Sequence, residues 1–141
     1  VVKNKKYYLL HQRLKQPYFG LIGNVGGKVQ WGETILEAAA RELKEETGLI
    51  AKKMKLLGVL HKMDYFKGEK VPIEDKYFYI VRVDMFSGKL MAKIPEGKNI
   101  WMTKEEILSE PNMFPATIDF FNVFDKEDFS FFEKKYLAER Y

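Results

Sequence analysis

The sequence predicts one α+β domain that covers residues 1–141. Hydrophobic residues make up 46% and charged residues 31% of the chain, a balance typical of a globular protein with a sizeable core. Short β-prone segments lie on both sides of one strongly patterned helix. No internal repeat, low-complexity segment or linker divides the chain. Because the chain starts at Val1 and not at a methionine, we expect that some N-terminal residues are missing.

The first third of the chain combines β-prone segments with turns. Residues 5–13, which read KKYYLLHQR, are apolar and predict a strand. The turn QPYFG follows, and then a short strand near residues 21–25. Three glycines, Gly23, Gly26 and Gly27, mark a loop after this strand.

Residues 34–47 give the clearest helix signal. Thr34 and Glu37 form a T-x-x-E capping box, and Gly48 supplies a C-terminal stop. Apolar residues recur at helical spacing, so one face is predicted to pack on a sheet. These residues are Leu36, Ala39, Ala40 and Leu43.

The second half of the chain predicts further strands and short helices. Residues 55–65 and 77–83 are β-prone and flank the polar loop KGEKVPIED. A proline and a glycine interrupt residues 89–98, which we expect to be a loop. The segment IWMT predicts a short strand, and a second T-x-x-E box opens a helix over 103–110. We expect EPNMFPAT to be a loop, and both DFFNVF and FSFFEKKYLAERY to be helical.

Composition excludes several classes of protein. The chain has no cysteine, which excludes disulfides, thiolate zinc sites and a cysteine nucleophile and fits a cytoplasmic location. The net charge of +4 has two explanations, a lysine-rich surface that aids solubility or attraction of a polyanionic substrate such as a nucleotide polyphosphate. No apolar run approaches a membrane span, and no basic stripe or RNA-binding motif is present. We therefore expect neither membrane association nor stable nucleic-acid binding.

The C-terminal half of the strong helix concentrates acidic residues. With Leu43 as the centre of the buried face, Glu46 lies about 60° away, Glu42 about 100° and Glu45 about 160°. Glu42 and Glu46 are neighbours at i, i+4, where like charges repel. The segment RELKEE is also ordinary helix-surface sequence, with Arg41 and Glu45 as an ion pair. A solvated face and a site for a hard cation such as Mg²⁺ or Mn²⁺ therefore both remain open.

The spacing of these residues resembles the signature of the Nudix hydrolases, G-x5-E-x7-R-E-U-x-E-E-x-G-U, where U is a bulky aliphatic residue. All nine defined positions match between Gly27 and Leu49, a stretch of 23 of the 141 residues. The resemblance implies the family's α/β/α sandwich with a mixed β-sheet. It also implies Mg²⁺, or alternatively Mn²⁺, bound by Glu42, Glu45 and Glu46. The carbonyl of Gly26 often joins such ligands, and the pair of Glu33 and Arg41 is structural in the family.

The resemblance leaves the general base open. Family members differ over which carboxylate takes the proton of the attacking water, and the candidates here are Glu45, Glu42 or an acid from a distant loop. MutT-like members often carry that acid before a W-[MF] strand, which corresponds to Glu96 in PEGKNIWMT. A solvated loop residue is an equal explanation of Glu96. Glu74 and Asp75 are rival loop acids.

Two further segments suggest where a substrate binds. MFPAT resembles the FPPAN-like segment that holds the base in MutT-like enzymes, which makes Phe114 and Thr117 candidate base contacts. Thr117 departs from the amide residue often found there, so the base preference is open. Arg13 ends the strand in LLHQR, and in the family this arginine often faces the substrate. Core packing of Phe114 and a surface location of Arg13 are equal alternatives.

The implied activity is Mg²⁺-dependent cleavage of a diphosphate linkage in a nucleoside diphosphate derivative. Its sharpest form is a MutT-like pyrophosphohydrolase of (deoxy)nucleoside triphosphates or 8-oxo-dGTP, which gives a monophosphate and pyrophosphate. ADP-ribose, dinucleoside polyphosphates and capped RNA ends are alternative substrates, and a nucleotide-sensing domain without catalysis is an alternative of another class. The absence of cysteine excludes isopentenyl diphosphate isomerase. The expected partner is a small nucleotide, and a homodimer is left open.

Overall fold

A computed structural model describes residues 1–124 and 126–138 of the chain. Eight strands and three helices lie within these residues. In chain order they are β1 (Lys3–Asn4), β2 (Tyr7–Arg13), β3 (Ile22–Asn24), α1 (Ile35–Thr47), β4 (Ile50–Tyr65), β5 (Glu74–Ser87), β6 (Lys93–Ile94), β7 (Gly97–Thr103), α2 (Lys104–Ser109), α3 (Pro115–Asn122) and β8 (Ser130–Leu137).

The strands form two sheets. In the first sheet β2 is central, and it pairs antiparallel with β1, β3 and β7, while β6 pairs with β7. In the second sheet β4 is central, antiparallel to β5 and parallel to β8. The described strands therefore include both antiparallel and parallel pairs, as predicted for a mixed α/β architecture.

Most elements have the type that the sequence predicts. β2, β3, α1, β7 and α2 lie within or next to their predicted segments. β4 and β5 are longer than predicted, since β4 begins at Ile50 and β5 covers Glu74–Ser87. Their antiparallel pairing continues from Asp64↔Glu74 to Ile50↔Ser87 through several register shifts, and this cross-strand pairing extends both strands beyond the residues of highest β-propensity.

The prediction of a helix over FSFFEKKYL is wrong. Ser130–Leu137 is strand β8, which lies parallel to β4. Phe132 and Tyr136 pack in the core, whereas Phe131 is 59% exposed, and this alternation is typical of a strand. Residues 139–141, the end of the same predicted helix, lie outside the described residues.

The predicted loops also need correction. The sequence predicts a loop over residues 115–117, but these residues form the first turn of α3. Pro115 opens the helix, because a proline at the first helical position lacks only an N–H that would be unpaired anyway. The segment DFFNVF is helical only as far as Asn122. Within the expected loop 89–98, β6 forms a short strand, and β7 already begins at Gly97.

The two longer helices cover opposite faces of the first sheet. Leu43 of α1 packs with Leu9 of β2 and Val83 of β5. On the other face, Tyr8 and Leu10 of β2 pack with residues of α3. α3 also packs against the second sheet through Ala116 and Phe120. This layering confirms the predicted α/β/α arrangement. Among the helices of the described residues, none has the length and apolar character needed to cross a membrane.

Candidate functional site

Helix α1 is fixed at both ends by its own sequence. The Thr34 hydroxyl accepts a hydrogen bond from Glu37 N at 3.2 Å, and Thr34 N donates to Glu37 Oε2 at 2.9 Å. Gly48 closes the helix with a left-handed φ of 78°. A β-carbon at Gly48 would also lie 2.8 Å from the carbonyl oxygen of Lys89, so glycine is required there on both grounds. These caps, with Leu43 buried, determine which residues of α1 face the preceding loop.

Arg41 connects the acidic residues of this region. Its Nη1 donates to Glu42 Oε1 at 2.8 Å and to Glu45 Oε2 at 3.2 Å. Its Nε contacts Glu33 Oε1, and its Nη2 donates to Glu33 Oε2 at 3.0 Å. Nη2 also donates to the carbonyl of Lys28 at 2.9 Å. The hydrogen bonds with Glu33 and then Glu42 raise the pKa of Arg41, and Arg41 in turn lowers the pKa of Glu33.

The glycine-rich loop lies directly against Glu42. A β-carbon at Gly27 would overlap the carboxyl group of Glu42, so only glycine allows the loop and the carboxylate to occupy their present positions. The Glu42 side chain is 16% exposed, whereas that of Glu45 is 58% exposed. The two carboxylates therefore share a partner in Arg41 but differ in access to water.

Glu46 lies on the same side of the loop and is half-buried. Gly26 N donates to its Oε2 at 3.3 Å. Burial raises the pKa of Glu46 to about 7, and the charges of Glu42 and Glu96 add to this effect. The hydrogen bond from Gly26 and the positive charge of Arg13 act in the opposite direction. Arg13 and Glu96, which are distant in sequence, thus contribute to the electrostatic environment of Glu46.

These residues offer the ligands that a hard divalent cation prefers. Carboxylate and carbonyl oxygens suit Mg²⁺ and Mn²⁺, and the mutual repulsion of Glu42 and Glu46 is relieved by added positive charge. Within residues 1–124 and 126–138, no three acidic or histidine side chains already form a cluster able to hold a metal ion. In the present arrangement Arg41 neutralises Glu42 and Glu45. The donor atoms are of the kind that suits a magnesium ion, and Glu42 and Glu45 would have to exchange their contacts with Arg41 for the ion in order to bind it.

Arg13 and Glu96 come together at one end of the first sheet. Arg13, at the end of β2, is opposite Gly97 in the β2–β7 ladder, and its Nε donates to the carbonyl of Pro17 at 2.7 Å. The Glu96 side chain is 57% exposed and lies 3.6 Å from Lys15 Nζ. The rival acids lie elsewhere, in the second sheet, where Glu74 accepts from Lys76 and Asp75 contacts a histidine of β4.

Phe114 and Thr117 lie at the start of α3. A β-carbon at Gly23 would be 2.9 Å from Phe114 Cδ2 and 3.5 Å from Thr117 Oγ1. The Phe114 ring meets the ring of Tyr18 edge-on at 5.2 Å between centroids. Thr117 is 1% exposed, so its hydroxyl is enclosed by protein. Both residues are therefore adjacent to β3, the strand that leads into the glycine-rich loop.

One residue that holds the site together has no signal in the sequence. Asn99 is buried in β7, and its Nδ2 donates to the carbonyl of Glu46 and to that of Met91, each at 2.7 Å. Its Oδ1 lies 2.9 Å from His11 Nδ1. Asn99 thus ties the C-terminal end of α1 to the first sheet. Only the tertiary structure brings these segments together, so neither spacing nor motif could identify Asn99.

Comparison with known proteins provides independent information on the family and the fold of this chain. A family model described as NUDIX domain matches residues 1–124. An ADP-ribose pyrophosphatase of Methanocaldococcus jannaschii is 36% identical over 92 residues, which are 65% of this chain and 52% of that protein. An oxidized purine nucleoside triphosphate hydrolase of Danio rerio is 39% identical over 83 residues, 58% of this chain and 49% of that protein. The chain thus spans about half the length of these curated relatives.

Among solved structures, a MutT protein of Bacillus halodurans superposes with a TM-score of 0.81. The two chains are 26% identical, and the alignment covers 100% of this chain and 89% of the other. The two chains therefore share a fold over the aligned length.

Proposed function

Because the chain belongs to the NUDIX family, we propose that it is a divalent-metal-dependent pyrophosphohydrolase acting on a (deoxy)nucleoside triphosphate. The proposed reaction adds one water to the triphosphate and releases a nucleoside monophosphate and pyrophosphate. The observation that carries the proposal is the position of Glu42, Glu45 and Glu46 against a loop whose Gly27 leaves room for a carboxylate. The similarity to a hydrolase of oxidized purine nucleoside triphosphates supports the choice of substrate.

The metal is proposed to be Mg²⁺, with Mn²⁺ as an alternative, held by Glu42, Glu45, Glu46 and the carbonyl of Gly26. Such an ion, when bound, neutralises phosphate charge and lowers the pKa of water. Arg13 is proposed to face the phosphates, since its positive charge already acts on Glu46. The basic balance of the chain, +4 overall, favours the approach of a polyanion.

Glu45 is proposed as the general base. It must accept a proton from the attacking water while the bond to the departing pyrophosphate breaks. Its side chain is 58% exposed, and its 3.2 Å bond to Arg41 Nη1 is longer than the 2.8 Å bond that Glu42 makes with the same atom. Glu45 is therefore accessible to a water molecule and is held less closely than Glu42. Glu96, 57% exposed, is the rival.

The test is a product screen with Mg²⁺ that covers the dNTPs, 8-oxo-dGTP, ADP-ribose and a diadenosine polyphosphate. Pyrophosphate is measured with added pyrophosphatase, and the other products are separated by chromatography. We expect one triphosphate to dominate, and Glu45→Gln to lose about 100-fold or more in kcat, because a positioned general base contributes about 10²–10⁴-fold. Glu96→Gln is the matched control, and a larger loss in Glu96→Gln than in Glu45→Gln assigns the base to Glu96.

ADP-ribose is the second candidate substrate. The specific observation in its favour is the 36% identity with an ADP-ribose pyrophosphatase. Turnover of ADP-ribose with inert triphosphates would leave the metal site as proposed and replace the substrate. No product from any compound in the screen would contradict catalysis and favour a nucleotide-sensing domain.

A further inference from the structure

Strand β8 has one edge without a partner strand. Among residues 1–124 and 126–138, β8 forms its ladder with β4 alone. The strand at the other side of this sheet, β5, is partly covered, because Val83 N donates to the carbonyl of Val1 at 2.9 Å. The edge of a strand presents a row of N–H and C=O groups that can pair with another strand. β8 therefore offers an open edge over Ser130–Leu137.

Every second residue of β8 directs its backbone groups to this open edge. Ala138 N donates to the carbonyl of Tyr65, the last residue of β4. Because the direction of the backbone groups alternates along a strand, even-numbered residues of β8 face β4 and odd-numbered residues face away from it. The odd-numbered side chains are all exposed, on the face of the sheet opposite α3. These residues are Phe131, Glu133, Lys135 and Leu137.

The order of these side chains is self-complementary. If two copies of β8 pair antiparallel about a two-fold axis at Lys134, Glu133 lies opposite Lys135 of the second copy. Phe131 then lies opposite Leu137 of the second copy, and symmetry repeats both pairs. Directly opposed residues share a face, and opposite charges or apolar side chains in such positions stabilise a sheet.

The neighbouring registers lack this complementarity. An axis at Glu133 places the two Glu133 side chains opposite each other, and an axis at Lys135 does the same with two lysines. Like charges in directly opposed positions are destabilising. An axis between two residues would place exposed side chains opposite buried ones, because a shift of one residue exchanges the faces. The charge pattern therefore selects the axis at Lys134.

The charged groups are already arranged for this register. Lys134, which lies on the axis, has its charge compensated within its own chain, since its Nζ lies 3.1 and 3.0 Å from the two carboxylate oxygens of Asp119. Glu133 contacts His61 through Oε2 at 2.7 Å, which leaves Oε1 without a partner among the described residues. Lys135 forms no ion pair within the described part of the chain. A second copy supplies the missing partner of each group.

A groove beside the start of β8 provides room for the second strand. Its volume is about 420 Å³, and the residues that line it belong to α3, to β8 and to the segment between them. The groove therefore lies on the side of β8 away from β4. Phe129 and Phe131 line it and are 58% and 59% exposed. In the register above, Leu137 of the second copy reaches this groove and covers Phe131.

We propose that β8 pairs antiparallel with β8 of a second copy of this chain, which joins the second sheets of both copies into one continuous sheet. The contact uses the same surface on both copies, so assembly stops at a dimer. The inference goes beyond the proposed function and does not depend on it. β8 packs in a different core cluster from α1, which carries the acidic residues.

The first test is the mass of the protein in solution. Sedimentation equilibrium is measured over a concentration series that reaches millimolar, without substrate or metal. We expect the mass to rise with concentration from the 16.6 kDa of one chain to twice that value. A single chain at every concentration overturns the proposal and identifies the lysines of β8 as residues that protect the edge from pairing. Growth beyond a dimer also overturns it.

Charge reversal tests the register. Glu133→Lys and Lys135→Glu each place like charges opposite each other twice in a dimer, so each variant alone should associate about ten-fold or more weakly than wild type. An equimolar mixture of the two variants restores opposite charges at both contacts. We therefore expect the mixture to dimerise like wild type. Dimers of undiminished strength in both single variants, or no dimer in the mixture, overturn the proposal.

Matched controls separate association from folding. Lys93→Glu changes the same charge on an exposed strand residue of the first sheet and should dimerise like wild type. Glu133→Lys also loses the contact with His61, so its melting temperature is measured at a concentration where wild type is monomeric. A variant that is folded there and dimerises only with Lys135→Glu supports the pairing of β8. Equal weakening by Lys93→Glu and Lys135→Glu overturns it, because net charge alone would then control association.

Discussion

Adjacent glycines in the loop before α1 provide a sharp test of the site. Neither Gly26 nor Gly27 has a positive φ, so alanine is compatible with the backbone at both positions. A β-carbon at Gly26 would meet nothing within 4 Å, whereas one at Gly27 would overlap the carboxyl group of Glu42. Gly27→Ala must therefore move Glu42, and Gly26→Ala is a matched control in which the loop gains the same methyl group.

The structure predicts that stability and activity respond differently. Glu42 moves by rotating the end of a flexible side chain, which breaks its 2.8 Å bond to Arg41. That loss is small, because exposure of the guanidinium to solvent weakens a charged hydrogen bond. Alanine also lowers the conformational entropy of the unfolded chain, which stabilises the folded state by about 0.4–1 kcal/mol. The free energy of unfolding of Gly27→Ala should thus fall by less than about 1 kcal/mol.

Function should suffer far more than folding. Changes that merely disturb the surroundings of a metal ligand cost about 10–100-fold in affinity or activity, and here the ligand itself is displaced. We expect Gly27→Ala to lose at least about 100-fold in Mg²⁺-dependent rate, and Gly26→Ala to remain near wild type. Urea titration measures stability, calorimetry measures Mg²⁺ affinity, and initial rates measure activity. Wild-type Mg²⁺ binding in Gly27→Ala, or equal impairment of both variants, would refute the reasoning.

Two further predictions concern the second sheet. Hydrogen bonds to Glu133 and Asp75 raise the pKa of His61, so the stabilisation is fully present below the unfolded pKa of about 6.5 and is lost as pH rises through the higher folded pKa. The melting temperature of His61→Gln should therefore fall below that of wild type at pH about 6 and approach it in alkaline buffer; a gap that widens with pH would contradict this. Asp64→Ala leaves the ammonium group of Lys62, which is 8% exposed, without its carboxylate partner. The free energy of unfolding, measured by urea titration, should therefore fall by about 3 kcal/mol. Replacing the pair by Met and Leu should cost much less, and equal losses would show that the pair itself stabilises the fold.

Local geometry explains why the arrangement of the acidic residues was predictable. The matching residues occupy one loop and one helix, so helical spacing places Glu42 beside Glu46 and Arg41 beside Glu45 without knowledge of the rest of the fold. The capping box of Thr34 and the stop at Gly48 fix the ends of that helix from the sequence alone. The pairing of this helix with its loop depends on Gly27, and the motif spacing already contains that residue.

Long-range pairing explains what was missed. FSFFEKKYL is rich in aromatic residues, and a short apolar run fits a buried helix turn and a strand equally well. This segment becomes a strand because it pairs in parallel with β4, from Gly58↔Ser130 to Tyr65↔Leu137. A local sequence pattern does not contain information about that pairing.

Arg41 links the structural and the chemical parts of the site. Its Nε and Nη2 are occupied by Glu33 and the carbonyl of Lys28, whereas Nη1 alone is shared by Glu42 and Glu45. The guanidinium is therefore anchored by groups that are not proposed metal ligands. Its Nη1 pairs with the carboxylates of Glu42 and Glu45 when no cation is present. A divalent ion carries twice the charge of the guanidinium and can therefore attract these carboxylates more strongly. If Glu42 and Glu45 bind a cation as proposed, the bonds from Arg41 to Glu33 and to the carbonyl of Lys28 would keep the loop joined to the helix while the two carboxylates leave Arg41.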